Sequence, residues 1–146
     1  MADWPPRLTC TYQAFKDKGR NMSISNYLED KLLNLVLTNT TFPAITAVYA
    51  SLHTADPGET CTASPLASCP RFAVTFNAAA SATCVNSASA SVVTSASGTI
   101  SHVALWDSSA TATANALWSG ALATTKNVNV GDTITLASAA LSVSLN

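Results

Sequence analysis

The chain has 146 residues, of which 48% are hydrophobic and only 10% charged, with a formal net charge of −1. That length fits one domain with one core, and a normal apolar content at near-zero charge excludes both a disordered polyelectrolyte and the basic footprint of a nucleic-acid binder. Globular domains average about 25% charged residues; a surface this poor in Lys and Glu suits a protein that works packed against neighbours.

In chain order, residues 1–21 contain "WPP", Cys10 and "KDKGR", and hold four of the seven basic residues: Arg7, Lys16, Lys18 and Arg20. Pro5 and Pro6 favour extended geometry and no apolar period is present, so this stretch reads as an extended arm. Met22 follows at once and would serve as a protein start, which makes the arm an addition to a domain spanning 22–146. It has no apolar core leading to a small-residue cleavage site, so export through the Sec route is not expected. The longest apolar run, "KLLNLVL", falls well short of the ~20 residues that span a bilayer.

"SISNYLEDKLLNLVLTN" predicts a helix over about residues 25–38. Ser25 or Asn26 can cap it, Asn26 and Glu29 have capping-box spacing, and Ile24 is placed as a hydrophobic staple. Glu29 and Asp30 suit the positive end of the helix dipole. Leu28, Leu32, Leu35 and Val36 form a stripe at helical spacing, flanked by Leu33 and Leu37, as expected for a helix lying on a sheet.

Everything after Phe42 reads as β. "AITAVYASLH" is followed by a turn through Asp56-Pro57-Gly58, and "RFAVTF" alternates, with Phe72, Val74 and Phe76 on one face. "ASVVT", "GTISHVALW", "ALWSGAL", "KNVNV", "DTITL" and "ALSVSLN" complete about eight short strands at 8–12-residue spacing. Gly131-Asp132 marks a tight turn. The pattern predicts a mainly β protein, an antiparallel sandwich of jelly-roll or immunoglobulin-like type with one N-terminal helix. The Ala/Ser tract "NAAASATCVNSASASVVTSASG" is the weakest strand candidate and is compatible with a loop lying on another subunit.

Chemistry-bearing residues are sparse. Ser101, His102 and Asp107 are the residue types of a catalytic triad, but on a strand Ile100, His102, Ala104 and Trp106 share one face and Ser101, Val103, Leu105 and Asp107 the other. Ser101 and His102 then diverge, Asp107 begins the turn-forming "DSSATATAN" loop, and no G-x-S-x-G elbow is present. His53 and His102 are the only imidazoles, too few for a His-based metal site. Asp56, Glu59, Asp107 and Asp132 all fall in turns, and five glycines form no phosphate loop. No catalytic, metal or cofactor site is assigned. Cys61 and Cys69 flank "CTASPLASC" and can close it, although free thiols are expected in a reducing cytosol, with oxidation open to a particle released from the cell. Trp106 and Trp118, in echoing "ALW" units, read as core or cross-strand residues; together with Trp4 they are also the only candidates for stacking on a host glycan.

The succession "MSISNYLEDKLLNLVL", "AVYASLHTADPGE", "RFAVTF", "ISHVALWD", "ALWSGAL" and "VNVGDTITLASAALSVSLN" resembles a family of small tailed-bacteriophage virion proteins, tail-fibre-like or head-decoration in type, over about residues 22–146. The resemblance implies a non-enzymatic role in the particle. The expectation is a capsid decoration (cement) protein, made in the bacterial cytoplasm and seated on the outer capsid surface as a trimer. Its partners would be the major capsid protein and copies of itself, with no nucleic acid and no membrane. Trp4, Arg7, Lys16, Lys18 and Arg20 of the arm are the candidate capsid contacts. A tail, neck or fibre-associated component is the alternative. The arm and the thiol-rich stretch 61–84 depart from the family pattern.

Overall fold

Ser25 decides where the helix begins. In the computed structural model, which describes residues 23–145, a short strand β1 (Ser23–Ile24) leads into α1 (Asn26–Leu37). Ser25, extended and 2% exposed, accepts a hydrogen bond from Leu28 N at 3.2 Å, as an N-cap should. Its hydroxyl also donates to Ala116 O, and its own N–H donates to Leu117 O at 3.0 Å. The cap is therefore also the fastening of helix to sheet. At the other end, the Thr38 N–H and hydroxyl both return to Asn34 O, and Asn39 takes a positive φ of 54°. The predicted bounds of about 25–38 match this helix and its caps.

The strands that follow are β2 (Val48–His53), β3 (Phe72–Val74), β4 (Thr83–Val85), β5 (Ala90–Val93), β6 (Gly98–Trp106), β7 (Ala116–Val128), β8 (Thr133–Leu136) and β9 (Ser142–Ser144). One antiparallel sheet has the order β1-β7-β6-β2-β3. Two antiparallel ladders, β4–β9 and β5–β8, make the opposing layer. Ala50, Leu52, Phe72, Val74, Val103 and Leu105 on the large sheet share a buried core with Val92, Ile134, Leu136 and Val143 of the ladders. Leu28 of α1 joins the same core. The architecture is thus mainly β and sandwich-like, as the pattern predicts, but its second layer is split into two ladders where a jelly roll or immunoglobulin domain has a continuous sheet.

Two irregularities alter the predicted strand pattern. "ALWSGAL" and the first three residues of "KNVNV" lie in one 13-residue strand, β7, and not two. Its register against β6 shifts between Ile100 and His102, and again between Leu105 and Trp106. A bulge changes which face the next residue occupies. Ile100 consequently joins Val103 and Leu105 in the main core, while Ala104 and Trp106 lie in a second cluster with Cys61 and Ala116. Simple alternation had placed Ile100 with Trp106. The turn at Gly131, φ +88°, carries the chain from β7 in one layer to β8 in the other and is tied by Asp132 Oδ2 accepting from Asn129 N at 2.8 Å.

The Ala/Ser tract is ordered by one side chain. Asn86 is fully buried. Its amide nitrogen donates to Ala88 O (2.9 Å) and Ala137 O (2.8 Å), and its Oδ1 accepts from Leu141 N (2.8 Å). Its backbone N–H donates to Leu141 O, and its carbonyl accepts from Ala139 N. The tract therefore contains β4 and β5 within this chain's own sandwich. Replacing Asn86 with Ala strands a buried N–H and two carbonyls, and should lower unfolding free energy by about 3 kcal/mol, read from urea denaturation; a loss under ~1 kcal/mol would remove Asn86 from this role.

Candidate functional site

The reverse face of the large sheet carries most of the polar chemistry. On β2, Tyr49, Ser51 and His53 alternate away from the main core, and Ala104 and Trp106 do the same on β6. The 54–71 connection folds over this face and buries Cys61 and Pro57. Arg71, immediately before β3, lays its guanidinium over the Trp106 ring, 3.6 Å from the centroid, and donates to Ala110 O at 2.9 Å and Ser108 O at 3.3 Å. The 107–115 loop is closed by Asp107, which accepts from Asn115 N (2.7 Å) and Asn115 Nδ2 (2.6 Å). Asp107 is thus a turn clamp, as the composition of its loop indicates.

Beneath this cover, Ser51 Oγ lies 2.7 Å from His53 Nε2, and His53 Nδ1 lies 2.8 Å from Ala63 O. A carbonyl can only accept, so Nδ1 carries the proton. Burial holds the imidazole below its usual pKa, so Nε2 is the acceptor from Ser51, and Ser51 in turn accepts from Trp106 Nε1 at 2.8 Å. The pair has nucleophile–base spacing with a backbone carbonyl as its orienting group. It is enclosed, however: His53 is 1% exposed, Ser51 9% and Trp106 4%. The indole occupies one of the hydroxyl's two lone pairs, and the burial of all three side chains leaves no approach for a carbonyl substrate. The chain Trp106–Ser51–His53–Ala63 instead pins the covering loop to the sheet.

The S-x-H spacing within "ASLH" placed both side chains on one strand face and was the available signal for this pair; sequence reasoning singled out the other histidine. His102 is half-buried and is the register partner of His53, but its Nδ1 lies 2.9 Å from Ser101 Oγ. Ser101 and His102 therefore meet, against the expectation that they diverge, because both are part-exposed and the bulge beside them relaxes strict alternation. Asp107 bonds Asn115 and joins neither.

Cys61 and Cys69 are free thiols with separate partners, Cys61 Sγ reaching Trp118 O at 3.8 Å and Cys69 Sγ reaching Pro70 O at 3.9 Å. Burial pushes the Cys61 thiol up to about 11 and raises Cys69 as well. Among the described residues, no group of three or more His, Cys, Asp or Glu could hold a metal ion, and no helix is long and apolar enough to cross a membrane. Trp106 is covered by Arg71 and cannot offer a face to a sugar. Trp118 is part-exposed in an apolar wall, with its Nε1 buried and unpartnered among the described residues. Trp4, Arg7, Lys16, Lys18 and Arg20, the candidate capsid contacts, lie outside the described residues.

Among the described residues, an exposed apolar cluster stands on the helix. Leu33 (58% exposed), Val36 (76%) and Leu37 (74%), with Leu35 beside them, project from the last half of α1, where Asn34 is the only polar residue. Only Leu28 of the predicted stripe is buried and Leu32 partly so; Leu35 and Val36 face outward, because Ser25 holds the helix by its first turn. Isolated apolar side chains on a surface are ordinary, but a contiguous cluster marks a contact site.

The described residues thus form a small β-sandwich with a sealed polar face and an exposed apolar cluster on its helix. Residues 23–144 match the family described as Podophage GP4 fiber I protein gp80, and the chain belongs to that family. It is a structural protein of a tailed-bacteriophage virion. No curated protein matches the chain.

The buried histidine gives this face a pH dependence. With its folded pKa below the unfolded ~6.5, the folded state binds fewer protons, so its stabilisation is complete above about pH 6.5 and is lost as pH falls from there towards the lowered value. Thermal unfolding should show Tm falling from pH 7 to about pH 5, with a shallower fall in His53→Gln; equal slopes in both proteins would contradict the assignment.

Proposed function

We propose that the protein is a fibre-associated component of the phage particle that assembles with copies of itself through the outer face of α1. The observation that carries this is the cluster Leu33, Leu35, Val36 and Leu37, exposed on a chain with only 10% charged residues. Removing that surface from water is the driving force, and nothing on the helix after Lys31 opposes it by charge. Membership in a fibre-protein family supports the same reading.

Burying one Val or Leu side chain contributes roughly 1.5–3 kcal/mol. Val36→Asp and Leu37→Asp should therefore each weaken self-association by about tenfold or more, read by sedimentation equilibrium. These positions are exposed, so folding is not at stake. Unchanged association would sink the proposal.

A second reading is a decoration protein on the outer capsid surface, bridging major capsid subunits and stabilising the lattice it binds by mass action. It is favoured by the short sandwich, whose longest described helix has 12 residues and provides no fibre stalk. Copy number separates the two. Quantitative mass spectrometry of purified virions should find the protein at the level of tail appendages for the fibre reading, and near that of the major capsid protein for the decoration reading.

A further inference from the structure

Outside α1, the large apolar side chains left exposed among the described residues gather at two ends of the sandwich. They are Val93 (56%) and Val130 (67%) at one end and Leu145 (52%) at the other. The β6–β7 ladder measures their separation: Gly98 pairs with Val128, just before Val130, and Leu105 pairs with Trp118. The two pairs are seven residues apart on β6, about 23 Å of strand. Val93 pairs with Thr133 beside the first end, and Leu145 lines a groove with Leu105 and Trp118 at the second.

The first end is a knob. Val130 is the second residue of the turn 129–132, in which Gly131 takes its positive φ of 88°. Thr94, 1% exposed, holds this turn from beneath. Its hydroxyl donates to Asn129 O at 2.6 Å, its N–H donates to Asp132 O at 2.8 Å, and its carbonyl accepts from Gly131 N at 2.8 Å. Turns favour Gly, Pro, Asn, Asp and Ser; this one is held rigid and presents a valine to solvent. The second end is a hole. Between the large sheet and the β4–β9 ladder lies an open cavity of about 280 Å³, walled by Val48, Phe76, Cys84, Trp118, Val143 and Leu145. It is below the ~300–1,000 Å³ of typical small-molecule sites, and its lining offers no charged side chain and no hydroxyl.

We propose that this groove receives the 129–132 turn of a second copy of the chain, with Val130 entering it. The two surfaces match in size and in charge. A helix with its side chains is ~10–12 Å across and too broad for the space, whereas the turn offers one apolar side chain. The turn's only carboxylate, Asp132, is bonded back to Asn129 N at 2.8 Å, so no ionised group need enter the groove. A preformed turn also loses little freedom on binding. Knob and hole lie at opposite ends of one molecule, so the contact is heterologous: each copy that docks leaves its own groove open to the next. Repetition builds a head-to-tail row. The contact shares no residue with the outer face of α1, goes beyond the fibre reading and does not depend on it.

Cys84 is a natural reporter, a free, half-buried thiol in the groove wall, and Cys61 is an internal control for folding because it is 1% exposed. The parent is the full chain carrying Val36→Asp and Leu37→Asp, so that α1 is silenced in every sample. It is exposed to iodoacetamide from low micromolar to millimolar protein, and each cysteine is followed by peptide mass spectrometry. Cys84 alkylation should slow as concentration rises, and adding Val130→Asp should move that dependence to at least tenfold higher concentration, with Cys61 slow throughout. In sedimentation velocity the parent should form species that keep growing with concentration. An equimolar mixture of its Val130→Asp and Leu145→Asp derivatives, one lacking the knob and the other the rim of the hole, should stop at a dimer. Cys84 rates independent of concentration would overturn the assignment, as would a parent that closes at a dimer. Protection that persists in Val130→Asp would also overturn it, by seating another segment in the groove.

Discussion

The fastening of α1 to the sheet through Ser25 is the constraint on which the rest of the molecule depends. One buried residue joins the first turn of the helix to Ala116 and Leu117 of β7, by its hydroxyl and its backbone N–H. A helix fastened at its start commits Leu28 to the core, packs Tyr27 and Leu32 against it, and leaves the later apolar residues exposed. The same stripe that would fix a helix flat on a sheet is then left mostly exposed. The charge-poor composition has its counterpart here, in a structure that buries one end of its amphipathic helix and presents the other.

The two faces of the large sheet divide the labour. One carries aliphatic side chains into the main core. The other replaces aliphatic packing with a chain of hydrogen bonds through Trp106, Ser51 and His53, capped by the Arg71 guanidinium. Such a network is costly unless every member is satisfied. Here each buried donor finds an acceptor, so the long 54–71 connection is held against the sheet without a disulfide, even though two cysteines flank part of it. Residue types that suggest catalysis thus act as fasteners, because their partners are protein groups and their surroundings exclude substrate.

Much of the fold was legible in the sequence because its signals are local. Capping chemistry marked α1 to within a residue or two, and "GTISHVALW" and "DTITL" alternate clearly enough to be read as strands. The less legible parts depend on long-range partners. Asn86 looks like any polar residue in a serine-rich stretch, and only the approach of Ala137 and Leu141, some fifty positions later, makes it an organising residue. Ser81 and Ala82 turn the chain with φ of 50° and 58°, a geometry that Asn-Gly would have announced and Ser-Ala does not. The bulge beside His102 escaped alternation for the same reason, since it is set by the register of β7. The candidate surface was legible as composition and periodicity; that its stripe faces outward was not, because nothing in the helix alone says where the sheet will hold it.

The central claim is that the outer face of α1 is covered in the assembled particle. A reconstruction of the virion at side-chain resolution tests it most directly. The account predicts Leu33, Val36 and Leu37 packed against a neighbouring copy of the chain. Density placing that face of the helix in open solvent around every copy would contradict it.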